Sequence, residues 1–96
     1  MDTKQLIKLR KEQTEQAKEK ILEITGYVKL PDECLRTLYG YMVQFDYLTV
    51  MSAIELAFDQ YYNPYGEPYD EWDSFLNALH KVGGICYNWT VHGGKI

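Results

Sequence analysis

Tyr47, Val50, Met51, Ile54, Ala57, Phe58 and Tyr61 recur at intervals of three and four residues. That periodicity places all seven on one face of an α-helix, and a face this apolar has to be covered. Asp46 stands where an N-cap is expected, and Asn63-Pro64 ends the run. The flanking segments repeat the pattern. Leu35, Leu38, Tyr39, Met42 and Phe45 predict a helix over 31–45. Pro31 opens it, and Asp32 and Glu33 favour its N-terminus through the helix dipole. Gly40, inside this pattern, is expected to mark close approach of another helix. Trp72, Phe75, Leu76, Leu79 and Val82 predict a further helix capped by Asp70, with Gly83-Gly84 stopping or kinking it.

Residues 3–25 also read as helix, but of another kind. Arg10 to Lys20 is built of Arg, Lys, Glu, Gln, Ala and one Thr, mostly strong helix formers. Leu6, Ile7 and Leu9 lie at one end, Ile21, Leu22 and Ile24 at the other, with only Ala17 between. A helix with two apolar ends and a polar waist cannot bury a continuous stripe. It is expected to project, to pack by its ends, or to pair with a second copy as a homodimer. Thr3 is the expected cap, and Gly26 with Tyr27 closes the helix.

The last segment is open to two readings. Ile85, Tyr87, Trp89 and Val91 alternate with Cys86, Asn88, Thr90 and His92, as in a strand that could pair with 27–30. A short fifth helix is the alternative. The expected fold is all-α, a small bundle of four to five helices with a long charged N-terminal helix and, as a minor alternative, a short C-terminal strand pair. Residues 1–26 form the charged helix. Residues 27–96 form a compact helical domain with an aromatic-acidic loop at 62–73.

Charge narrows the function classes. The net charge is −4, but residues 1–29 hold seven Lys/Arg against five Asp/Glu, and residues 30–96 hold three against nine. The body would repel nucleic-acid phosphates, so DNA is not its favoured partner. Only the first helix, through Lys4, Lys8, Arg10 and Lys11, offers a basic surface for nucleic acid or another partner. No apolar run is long enough for a membrane span, and the opening has no apolar h-region of a signal peptide. Cytoplasmic residence and no membrane partner are expected, with Cys34 and Cys86 as reduced thiols. On that expectation the Asn88-Trp89-Thr90 sequon carries no glycan.

Cys34, His80, Cys86 and His92 are zinc-ligand types, but no Cys pair stands two to four residues apart, so no metal or other cofactor is expected. Ser52, inside a helix, and Cys86 with His92 are poor candidates for a nucleophile and its base. Glu67, Asp70, Glu71 and Asp73 crowd a loop and helix start, where capping explains them better than acid–base chemistry. No catalytic residue and no enzyme activity are expected. Tyr61, Tyr62, Tyr65, Glu67, Tyr69, Asp70, Glu71, Trp72 and Asp73 form the sharpest cluster. Tyr and Trp dominate interface hot spots, so this stretch is the candidate protein-binding face for a basic partner. Base stacking would need a basic groove that the stretch lacks. Its other reading is a loop whose aromatics fold onto the helix ends.

Gly84-Ile85-Cys86-Tyr87-Asn88-Trp89, followed by Gly94 and Ile96, resembles the "G-I-L-x-N-W…G-I" ending of DnaD-type domains. Those domains belong to replication-initiation proteins of Gram-positive bacteria and their phages. The upstream order agrees over roughly residues 28–96, with a Leu-Pro-started helix and then Ala53-Ile54-Glu55-Leu56-Ala57 in a capped one. The resemblance implies helix over 85–92, with Gly84, Ile85, Asn88 and Trp89 as the shared motif. It departs from the family at 62–73, which reads as an insertion, and at Lys95, which separates Gly94 from Ile96. The family's DNA contacts involve a basic C-terminal tail, of which Lys95 alone stands here. The resemblance implies a non-enzymatic phage or mobile-element module in DNA replication or its regulation. A small acidic phage-encoded inhibitor is the alternative, of anti-defence (anti-CRISPR) type, binding a nucleic-acid-binding protein or mimicking DNA.

Overall fold

A computed structural model describes residues 2–65 and 70–93 as four α-helices, with no strand among the described residues. They are α1 (Thr3–Thr25), α2 (Asp32–Gln44), α3 (Tyr47–Tyr61) and α4 (Glu71–Val91). The chain divides into two contact units, Met1–Tyr47 and Leu48–Ile96. No helix among the described residues is long and apolar enough to cross a membrane.

In the first unit α1 packs on α2. Its cap is Asp2, not Thr3. The Asp2 carboxylate accepts from Gln5 N–H at 2.8 Å, and the Gln5 side chain accepts from Asp2 N–H at 3.3 Å. A carboxylate with Gln three residues on closes this reciprocal box, and a carboxylate caps better than a β-branched Thr. Gly26 ends the helix at φ 79° and donates to the Leu22 carbonyl at 2.8 Å.

α1 buries part of its polar waist together with Ile21, the first residue of its C-terminal apolar end. Thr14, Ala17 and Ile21 are its buried residues, whereas Leu6, Ile7, Leu9 and Ile24 are exposed. Small side chains let a neighbouring backbone come close, and the Thr14 hydroxyl is satisfied within the helix by the Arg10 carbonyl at 2.7 Å. Arg10 also reaches across to donate its guanidinium to the Met42 carbonyl. Carbonyls of the last helical turn lack intrahelical donors, and α2 has no basic residue of its own there. Arg10 thus caps α2 from α1.

α2 buries Cys34, Leu38 and Met42, with Leu35 and Tyr39 half-buried. Gly40 is not at a close approach: a Cβ added there would meet nothing within 4 Å.

In the second unit α3 buries Val50, Ala53, Ile54, Ala57 and Phe58. α4 buries Ser74, Phe75, Ala78, Leu79, Val82 and Cys86. The two run antiparallel. Phe58 meets Phe75 and Asn63 meets Ser74 at one end, and Cys86 Sγ approaches the Thr49 carbonyl at the other. Asn63 N–H donates to Ser74 Oγ at 2.9 Å and ties the end of α3 to the first turn of α4.

Gly83-Gly84 does not stop α4, and 85–92 is not a strand: residues 85–91 complete the same helix. The two glycines each cost about 1 kcal/mol relative to Ala in a helix interior. Phe75, Ala78, Leu79, Val82 and Cys86 nevertheless keep one unbroken helical stripe across them, and its burial outweighs that cost. The apparent alternation scatters over the helix: Cys86 is buried, Ile85 and Trp89 half-buried, Tyr87 and Val91 exposed.

Candidate functional site

The aromatic-acidic stretch divides into residues that build the fold and residues that face outward. Tyr62 builds. Its ring lies 6.1 Å from Phe58 and 6.4 Å from Phe75, which is itself edge-on to Phe58 at 5.3 Å. Asp70 builds as well, capping α4 by accepting from Asp73 N–H at 2.7 Å. Trp72 does both. One face stacks on Phe75 at 4.9 Å and 6°, and the residue is 38% exposed. Tyr61 is partly exposed with Lys81 Nζ 5.3 Å from its ring centroid, a cation–π contact.

What remains is the outward set. Tyr65 is 90% exposed, in a turn where its N–H donates to Asn63 Oδ1 at 3.0 Å. Glu71 and Asp73 are exposed in the first turn of α4, where the dipole stabilises their charge. The structure therefore gathers Tyr61, Tyr65, Glu71, Trp72 and Asp73 around one end of the α3–α4 pair. Glu67 and Tyr69 lie outside the described residues, as do Gly94, Lys95 and Ile96.

The basic helix is only partly as expected. Lys4, Lys8 and Lys11 line one exposed face of α1 with Ile7, but Arg10 is turned onto α2. Lys11 also borders an open groove of about 580 Å³ between α1 and α2, walled by Thr14, Glu15, Leu35, Arg36 and Tyr39. Glu15 there pairs with Lys18 at 2.8 Å. Sequence periodicity assigned Leu35 and Tyr39 to a core face and carried no sign of the groove, which exists only once two helices are juxtaposed.

The thiols are poorly placed for chemistry. Cys34 and Cys86 are free and buried. Burial pushes the Cys34 thiol up from its ordinary range and Cys86 up to about 11, so neither offers much thiolate at neutral pH. His80 is exposed on α4 and His92 is exposed at its C-cap, whereas Cys86 is on the buried face of the helix. Ser52 sits half-buried within α3. Among the described residues no three His, Cys, Asp or Glu come together as a metal site.

Of the shared motif, Gly84 and Asn88 are exposed and Ile85 and Trp89 half-buried, all four on α4. No known protein family matches the chain, and no curated protein or solved structure is significantly similar to it.

Proposed function

We propose that the protein is a non-enzymatic helical interaction module of phage or mobile-element type, similar to DnaD domains, acting in DNA replication or its regulation through contact with another protein. The observation that carries it is the outward set at the end of α3–α4: a nearly fully exposed Tyr65 just past α3, and exposed Glu71, Trp72 and Asp73 in the first turn of α4, two ends that the Asn63–Ser74 hydrogen bond ties together. Rigid aromatic area next to fixed negative charge suits a basic protein surface and suits phosphate poorly. The helical course of 84–91 supports the DnaD-like reading, since the family motif requires helix there.

The same acidic, aromatic corner favours a second reading, a small inhibitor of anti-defence type that occupies the nucleic-acid groove of a basic protein. Both readings work by protein contact. A mobility-shift assay on single- and double-stranded DNA across a salt series tests that shared premise. The expected result is no shift at physiological salt. A salt-sensitive shift abolished by Lys4→Glu, Lys8→Glu and Lys11→Glu together would instead assign α1 a direct DNA role.

A further inference from the structure

α4 carries a second outward surface, along its length rather than at its end. Trp72, Leu76, His80, Gly83, Tyr87 and Val91 are spaced four, four, three, four and four residues apart, so they follow one line on the helix. Its apolar members are 38%, 40%, 59% and 54% exposed in chain order. A line this apolar is costly to leave in water.

The spacing reads the same in both directions. Laid antiparallel on itself, the line sets Trp72 against Val91, Leu76 against Tyr87, and His80 against Gly83. A two-fold symmetric contact requires this property, because one patch must complement its own copy. Each bulky ring then meets a smaller residue, as interdigitating packing needs. Both glycines fall near the centre, where crossing helices approach most closely. Nothing lies within 4 Å of where a Cβ on Gly84 would sit, so no contact inside the described chain requires a glycine there.

The helix dipoles agree with the same orientation. An antiparallel pair sets the positive N-terminal end of each α4 beside the negative C-terminal end of the other. Glu71 falls opposite the second copy's His92, whose imidazole carries an N–H donor. A helix of 21 residues spans roughly 30 Å. Paired over that length, the line and its flanks must bury about 1,000 Å² to reach the lower bound for a specific interface.

We propose that α4 is a self-recognition surface, and that two copies of the chain pair antiparallel, α4 on α4, about a centre between Lys81 and Val82, next to Gly83-Gly84. This goes beyond the partner-binding corner, with which it shares Glu71 and Trp72. Light scattering on the full chain across a concentration series should rise from 11.3 kDa to twice that mass. Leu76→Glu or Tyr87→Glu, each at an exposed position, should raise the dimer dissociation constant by roughly 100-fold, because each substitution enters the contact twice. Circular dichroism should show helicity unchanged. Under mild oxidation, Leu76→Cys mixed with Tyr87→Cys should form the mixed cross-link, and neither variant should cross-link with itself. A monomer at every concentration overturns the proposal, as does a dimer indifferent to both Glu variants, which would place the contact elsewhere, for example at Leu6, Ile7 and Leu9. Self-cross-linking of Leu76→Cys overturns the antiparallel register. Should Leu76→Glu fail to fold, Tyr87→Glu and the cysteine mixture decide.

Discussion

The two units of this chain bury very different side chains. The first balances eight Lys/Arg against eight Asp/Glu and places small residues, Thr14 and Ala17, at the middle of its long helix. The second holds two Lys/Arg against six Asp/Glu and organises itself around rings, with Phe75 touching Phe58, Tyr62 and Trp72. Helices held by small residues need little hydrophobic area at the contact, because close backbone approach supplies dispersion contacts. Helices held by aromatics need large rings, and rings that reach the surface become recognition sites. The charged unit thus places small residues at the middle of its long helix, and the acidic unit carries the surface proposed for binding.

Substitutions at the two kinds of contact can break this contrast. The largest effect is expected from Phe75→Ala. Its ring is fully buried at the centre of the aromatic group, and its loss should cost about 3–5 kcal/mol. Chemical denaturation followed by tryptophan fluorescence checks it, since Trp72 also loses its stacking partner. The complementary experiment in the first unit adds volume. Ala17 is fully buried, so Ala17→Leu should destabilise by about 1–3 kcal/mol through overpacking. If it stabilises instead, the waist of α1 has spare room and close packing is the wrong description.

Smaller effects sharpen the account. Gly40 has no neighbour within 4 Å of a built Cβ, so Gly40→Ala should stabilise by about 0.5–1 kcal/mol, read as a rise in Tm. The smallest effect is a pH slope. Burial raises the Cys86 thiol from 9.0 to about 11 in the folded chain. Its contribution is therefore complete below pH 9 and is lost as the pH rises through about 11. Relative to Cys86→Ala, the wild type should lose stability across that alkaline window and show no difference in slope below it.

Much of the fold was legible because α2, α3 and α4 carry apolar stripes at helical spacing, ended by Asn63-Pro64 or begun by a capping residue such as Asp70. The failures share a cause. Residues read locally were decided by tertiary packing. Gly83-Gly84 looked like a stop, but the stripe through Val82 and Cys86 carries the helix across it. The α1 waist looked solvated, yet Thr14 and Ala17 within it are buried. Of the candidate site, composition marked the right stretch. It could not separate Tyr62 and Asp70, which are consumed in packing and capping, from Tyr65 and Glu71, which face outward.

The most direct test of the binding role is capture from a bacterial host extract with the wild-type chain and with the double variant Tyr65→Ala, Glu71→Lys, both substitutions being at exposed positions. The wild type should retain a basic protein, and the double variant should lose it while keeping its helicity. A replication protein among the captured species supports the DnaD-like reading, and a nucleic-acid-cleaving enzyme the inhibitor reading. Retention of the same protein by both forms would contradict the assignment of function to the aromatic-acidic corner.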